Sequence, residues 1–180
     1  MGIGSAEVPS RDFAVKLVEV TSRFPRIQFI FAERWLKIPA EVKTKLPPNI
    51  LFWGESVPQD WIFSLPNLKA VVVDSEVGTV SNALRFGKPV IVRPFHSDQF
   101  LWSHRLQELG IGIVLEDITT KFMISALKNL LTPTYQIKAA EFAQELQTQH
   151  GVEHAVKRLW SVIESDNISF RPSNILHQYF

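Results

Sequence analysis

Residues 70–99 read AVVVDSEVGTVSNALRFGKPVIVRPFHSDQ, and the fold class can be predicted from this segment. An apolar strand is predicted at 70–73, a helix rich in small residues at 77–86, and a second apolar strand at 89–92. Gly87 is well placed to end the helix. Two short apolar strands joined by one helix are typical of a parallel βαβ unit, because parallel strands need a long crossover connection.

Outside this segment, strands and helices continue to alternate. Strands are predicted at 1–3, 26–31, 49–53 and 112–115, and helices at 10–23, 58–65, 99–109, 119–131, 133–149 and 152–164. Alternation predicts an α/β fold: a single Rossmann-like domain with a mostly parallel sheet of about six strands and helices on both faces. The domain is expected to cover 1–164, with a tail at 165–180. Gly78, Ala83 and Gly87 are expected where a helix packs close to the sheet.

Composition excludes several classes of protein. A chain of 180 residues can bury roughly 70% of its unfolded surface in one core. Its formal net charge is +1 with scattered Lys and Arg, so nothing indicates a nucleic-acid partner. No apolar run reaches the ~18 residues of a membrane span. Cysteine is absent, which removes disulfides and thiolate metal sites and favours the cytoplasm.

The central segment resembles the donor-binding domain of UDP-sugar glycosyltransferases of the GT-B type, especially the sterol glucosyltransferase branch. The pattern of that family runs roughly AVVHHGGAGT…ALRAGKPVIVVPFFGDQPFW. A second stretch, VPQDWIF at 57–63, resembles the family's PHDWLF segment, whose backbone holds the uracil ring. Residues 2–5 resemble the strand and loop that open the donor domain. The resemblance covers about residues 1–164 and implies the Rossmann-like fold predicted above.

The resemblance also implies a set of site residues. The uridine-binding-like residues are Val57, Pro58 and Gln59; the phosphate-turn-like residues are Ser5, Asp74, Ser75, Glu76, Gly78 and Thr79; the sugar-binding-like residues are His96, Asp98 and Gln99. No residue is assigned a catalytic or metal-binding role, because the catalytic base of such enzymes usually comes from the N-terminal acceptor domain.

The phosphate turn departs from the family pattern. Asp74 stands where the family has its second histidine, and Ser75 and Glu76 replace both glycines. A carboxylate about 4 Å from a phosphate costs about 1 kcal/mol in water and about 4 kcal/mol at an effective dielectric of 20. The helix dipole offers only about 0.3–1 kcal/mol in return. A bound UDP-sugar is therefore expected to be weak, and no cofactor is predicted.

Each site residue also has a structural interpretation. Asp74 or Ser75 could cap the following helix, or a divalent metal could bridge Asp74 and Glu76 to a ligand. Asp98 is either a retained sugar contact or the cap of the helix that begins near residue 99. His96 is either a new polar contact or a solvated side chain.

Two functions follow from the sequence. The first is a degenerate glycosyltransferase-like domain, non-catalytic alone, that acts as a binding or scaffolding module. The second is the nucleotide-sugar-binding half of a UDP-dependent hexosyltransferase with a lipid, sterol or small-molecule acceptor, completed by a separate N-terminal domain. In either case the cleft face, with Phe95, His96, Phe100 and Trp102, is expected to contact a protein partner, a second copy or the C-terminal tail.

Overall fold

The computed structural model describes residues 10–32, 41, 44–53 and 58–165. Its helices are α1 (Ser10–Ser22), α2 (Gln59–Phe63), α3 (Val77–Arg85), α4 (Gln99–Leu109), α5 (Thr120–Leu130), α6 (Pro133–Thr148) and α7 (Gly151–Ser165). Its strands are β1 (Phe29–Ala32), β2 (Ile50–Trp53), β3 (Val71–Val73), β4 (Val90–Val92) and β5 (Gly112–Val114). The strand predicted at 1–3, together with Ser5 and Val57, lies outside the described residues.

Every strand pairing among the described residues is parallel, which confirms the α/β interpretation. β1 pairs with β2, and β4 lies between β3 and β5 in a second sheet. Val73 stands opposite Val92 in that second sheet. The expected sheet of about six strands is wrong for the part of the chain that is described, which has five strands in two sheets. These strands are short, and no described strand joins β2 or β1 to β3.

Helices cover both faces of the β3–β5 sheet, as the alternation predicts. Side chains alternate along β4: Ile91 packs in one apolar cluster, whereas Val90 and Val92 pack in the other. The first cluster contains buried residues of α1, β1 and α5, and the second contains buried residues of α2, α3 and α4. Strands buried on both faces explain why β3 and β4 read as uninterrupted runs of Val and Ile.

The chain divides into two compact units, Met1–Leu146 and Gln147–Phe180. The sheets and both clusters belong to the first unit. In the second unit, α7 buries none of its residues. The division predicted at 164/165 stays a prediction. Among the described helices, none has the length and hydropathy that crossing a membrane requires.

The prediction that Gly78, Ala83 and Gly87 lie where a helix packs close to the sheet is fulfilled only in part. Ala83 is fully buried beside the valines of β3 and β4. Gly87 has a φ of +66°, and a Cβ there would lie 3.4 Å from the Cα of Ala140, so its close neighbour is helix α6 and not the sheet. The expectation is wrong for Gly78, where an added Cβ would meet nothing within 4 Å because the first turn of α3 is exposed.

Asn49 joins the end of α1 to the start of β2. Its side chain is 5% exposed, and its Nδ2 donates to the carbonyl oxygens of Thr21, Phe24 and Ile27 at 3.2, 3.0 and 2.9 Å. The backbone carbonyl oxygen of Asn49 accepts from the backbone N–H of Phe29 at 2.8 Å. The side chain of Asn49 thus bonds carbonyls around the turn after α1, while its backbone carbonyl takes part in the pairing of β1 with β2.

Candidate functional site

The carboxyl ends of β3 and β4 lie side by side. The backbone N–H of Arg93, directly after β4, donates to the carbonyl of Val73 at 3.0 Å, so the ladder continues to the point where each strand ends. The turn at 74–76 and the loop at 93–98 therefore start next to each other. In open parallel sheets, ligands bind outside the carboxyl ends of the strands. The segments that contain the phosphate-turn-like residues 74–76 and the sugar-binding-like residues 96, 98 and 99 both start at this edge.

The turn after β3 is buried and satisfied internally. Asp74 is 4% exposed and Ser75 is fully buried with a φ of +69°. The carboxylate Oδ1 of Asp74 accepts from the backbone N–H of Glu76 at 3.4 Å. Glu76 is the N-cap of α3 and makes no side-chain cap hydrogen bond. The predicted cap by Asp74 or Ser75 is wrong, because a capping oxygen must accept from the second or third helical N–H, and neither does.

Ser75 pairs with Ser103 of α4, a residue that sequence reasoning missed. The two hydroxyl oxygens lie 2.6 Å apart, and Ser103 is 2% exposed. Gln99, Ser103 and Leu106 form the buried face of α4, at spacings of one and two helical turns. The position of Ser103 on the buried face of a helix could have predicted such a pairing, because a buried hydroxyl needs a hydrogen-bond partner. The pair ties the turn after β3 to α4.

The sugar-binding-like residues are held by local contacts. Gln99 is buried, and its Oε1 accepts from the backbone N–H of Phe95 at 2.8 Å. Asp98 is exposed, and its Oδ2 accepts from the indole N–H of Trp102 at 3.0 Å. Asp98 is the N-cap residue of α4, as the capping alternative expects, but its side chain makes no cap hydrogen bond. His96 is exposed.

The uridine-binding-like and phosphate-turn-like segments are also in contact. The Nε2 atom of Gln59 on α2 donates to Oγ1 of Thr79 on α3 at 3.3 Å. A second bond joins the same helices, from Nδ2 of Asn82 to Oδ1 of Asp60 at 2.6 Å. The turn after α2 is bonded by Lys88, whose Nζ donates to the carbonyl of Leu65 at 2.9 Å. Burial, and then the charge of Lys69, lowers the pKa of Lys88.

The described residues contain no cluster of three or more His, Asp or Glu side chains that could hold a metal. Asp74 and Glu76 are thus a pair without a third ligand of these types. Beside them, consecutive apolar side chains of the first turn of α4 face solvent: Phe100 is 57% exposed, Leu101 68% and Trp102 39%. On the uridine side, Trp61 is half-exposed, with its ring centroid 5.9 Å from that of Trp53.

Comparison with known proteins assigns the chain to a branch of one family. No protein-family model matches the sequence. The sterol 3-beta-glucosyltransferase of Candida albicans is 31% identical over 173 residues, covering 91% of this chain and 11% of that protein. The sterol 3-beta-glucosyltransferase of Pichia angusta is 36% identical over 125 residues, covering 69% of this chain and 10% of that protein. The chain is a sterol glucosyltransferase-like domain of the GT-B type. It spans about a tenth of the length of these relatives.

Solved structures give the same fold for this sterol glucosyltransferase-like domain. The structure of a UDP-glucose:anthocyanidin 3-O-glucosyltransferase in complex with UDP superposes with a TM-score of 0.70 at 20% identity. That match covers 91% of this chain and 40% of the other. At this identity the likeness establishes the fold alone. Together, the sequence similarity to sterol 3-beta-glucosyltransferases and this fold confirm the resemblance predicted from the sequence.

Proposed function

We propose that this sterol glucosyltransferase-like domain is a degenerate donor domain, non-catalytic by itself, that acts as a binding or scaffolding module. One observation carries the proposal: the carboxylate of Asp74 accepts from the backbone N–H of Glu76, in the turn that would hold a diphosphate. A backbone N–H that already has an anionic partner does not need a phosphate oxygen. The exposed carboxylate of Glu76 adds a second negative charge at the start of α3.

A titration of the chain with UDP-glucose tests this proposal. We expect a dissociation constant no tighter than about millimolar, which corresponds to about −4 kcal/mol, because the turn is both occupied and acidic. Isothermal titration calorimetry with UDP and with UDP-glucose, each with and without Mg²⁺ or Mn²⁺, measures the constant. Tightening by a divalent ion would instead support a metal bridge between Asp74 and Glu76. A micromolar constant would contradict the loss of the diphosphate site.

A second function keeps the donor role. In it, the domain is the nucleotide-sugar-binding half of a UDP-dependent hexosyltransferase, with a lipid, sterol or small-molecule acceptor bound by a separate N-terminal domain. The names of the relatives favour it, and so does the exposed carboxylate of Asp98 at the sugar-binding-like position. Micromolar binding of UDP-glucose in the same titration would select this function. The absence of cysteine supports a cytoplasmic location under either function.

The cleft face supports the interaction part of the proposal. Phe100, Leu101 and Trp102 expose apolar surface beside the turn and the loop, and adjoining apolar groups on a surface often mark an interface. We expect Phe100→Asp to weaken association with a partner or a second copy, because it places a charge in that contact.

Sedimentation velocity of the wild type and of Phe100→Asp measures the association. Val152→Asp is the matched control, since Val152 is an 82% exposed apolar residue of α7, in the second compact unit. A wild type that stays monomeric at high concentration and sediments identically to Phe100→Asp would contradict self-association through this face.

A further inference from the structure

Arg93 lies at the carboxyl end of β4. None of the contacts described above assigns a role to its cationic side chain. Its Cζ lies 5.5 Å from the ring centroid of Phe95, over the ring. Its Nη1 is buried without a hydrogen-bond partner, and among the described residues no other buried side-chain nitrogen or oxygen is in that condition. A guanidinium always carries its charge and offers five N–H donors. A buried donor that lacks a partner costs stability, so its presence calls for an explanation.

The nearest acidic neighbour along the sheet does not supply that partner. Asp74 and Arg93 directly follow paired residues of β3 and β4, strands that lie about 4.8 Å apart. The Oδ1 atom of Asp74 is directed to the amide of Glu76. The ion pairs found among the described residues lie on α4 and α7, and none contains Asp74 or Arg93. The positive charge is therefore left at the edge where parallel sheets bind ligands.

We propose that Arg93 anchors an oxyanion, the phosphate or carboxylate group of a small ligand, at the carboxyl end of β4. The planar guanidinium matches both groups because it can donate two parallel N–H bonds to their oxygens. Arg93 is partly exposed as a residue while its Nη1 is buried, so we expect the ligand to approach along the exposed part of the side chain. This anchor differs from the phosphate turn, since the amide of Glu76 has Asp74 as its partner.

The inference is independent of a diphosphate site. The family pattern quoted above has valine at the position of Arg93. A single guanidinium contact suits a ligand with one oxyanion, whereas a diphosphate also needs the turn. Asp74 follows the neighbouring strand, and its negative charge should oppose the binding of an anion to Arg93.

Titration of the 180-residue chain with inorganic phosphate and, separately, with acetate tests the anchor at constant ionic strength. We expect saturable binding of at least one anion to the wild type, and Arg93→Met should weaken it at least about fivefold. The matched control is Arg85→Met, an exposed arginine in the last turn of α3, which should leave binding unchanged. Asp74→Asn should tighten binding at least about threefold, because it removes a nearby negative charge. Tighter binding of phosphate than of acetate indicates a ligand with a phosphate group, and the reverse indicates a ligand with a carboxylate.

The result that overturns the anchor is an absence of saturable binding of both anions to the wild type, or equal binding by Arg93→Met and Arg85→Met. Thermal unfolding of each variant shows whether it folds. If Arg93→Met does not fold, Arg93→Lys takes its place: it keeps the charge but loses the planar fork, so binding should fall between wild type and zero. Micromolar binding of UDP-glucose, by contrast, would contradict the proposed function. The comparison of anion binding between Arg93→Met and Arg85→Met would still test the anchor.

Discussion

Replacing Asn49 by alanine is expected to lower the free energy of unfolding by about 2–4 kcal/mol, and replacing it by aspartate by about 4 kcal/mol or more. The Nδ2 atom donates to three carbonyl oxygens from the region where α1 ends. Alanine removes this donor from all three carbonyls: those of Thr21 and Phe24 keep a backbone N–H donor, whereas the carbonyl of Ile27 loses its bond to Nδ2. Aspartate adds a carboxylate that faces them, and repulsion between acceptors then adds to the loss of the bonds.

Thermal and urea unfolding of the two variants measure this change. In a domain of this size 1 kcal/mol shifts the Tm by roughly 2–4 °C, so Asn49→Ala should lower the Tm by roughly 4–16 °C. Asn67→Asp, on an exposed asparagine, is the matched control and should stay within about 0.5 kcal/mol of the wild type. A loss of less than about 1 kcal/mol in the free energy of unfolding for Asn49→Asp would contradict the stabilising role of the Asn49 side chain.

Local signals predicted the order and bounds of most elements. The helix expected at 99–109 has those bounds, and it ends at Gly110 with a φ of +67°. Pro133 begins α6, as the fixed φ and missing N–H of proline favour. Apolar runs marked the central strands because both faces of that sheet are covered. These features depend on neighbours within a few residues, which a sequence displays directly.

The contacts that define the site could not be predicted in the same way. Ser75 and Ser103 are 28 residues apart, as are Asn49 and the carbonyl of Thr21. Spacing along the chain does not show that such residues meet, because the meeting depends on how helices pack on the sheet. The expected caps failed for a related reason: serine and aspartate satisfy several local and distant partners equally well, and packing chooses among them.

The site residues retain backbone geometry better than chemistry. Ser75 and Ser97 both have positive φ, at +69° and +54°, in the two loops of the site edge. This is the left-handed region that glycine enters without steric cost, and the family pattern has glycine at both positions. Both serines therefore adopt a backbone conformation that suits the glycine of the family pattern. The loss of anion binding proposed for the turn therefore depends on charge and occupancy, which a few substitutions can reverse.

Restoring the family residues of the turn, by Asp74→His with Ser75→Gly and Glu76→Gly, is expected to tighten UDP binding at least about tenfold. The change removes two carboxylates, each of which costs between about 1 and 4 kcal/mol beside a phosphate, and it frees the amide at position 76. Glycine accepts the left-handed φ of position 75 without strain. Ser103→Ala belongs in the same variant, because Ser103 would otherwise lose the partner of its buried hydroxyl.

Calorimetric titration with UDP compares the restored variant with the wild type and with a charge-matched control. The control, Glu116→Gln with Glu141→Gln, removes two exposed carboxylates outside the turn, so it changes net charge equally. If general charge governed binding, both variants would gain affinity; a gain in the restored variant alone locates the barrier at Asp74 and Glu76. The gain also requires a competent uridine segment, and Gln59→Ala in the restored variant should reverse part of it. An unchanged affinity in the restored variant, with its fold intact by circular dichroism, would contradict the prediction that these side chains block the turn.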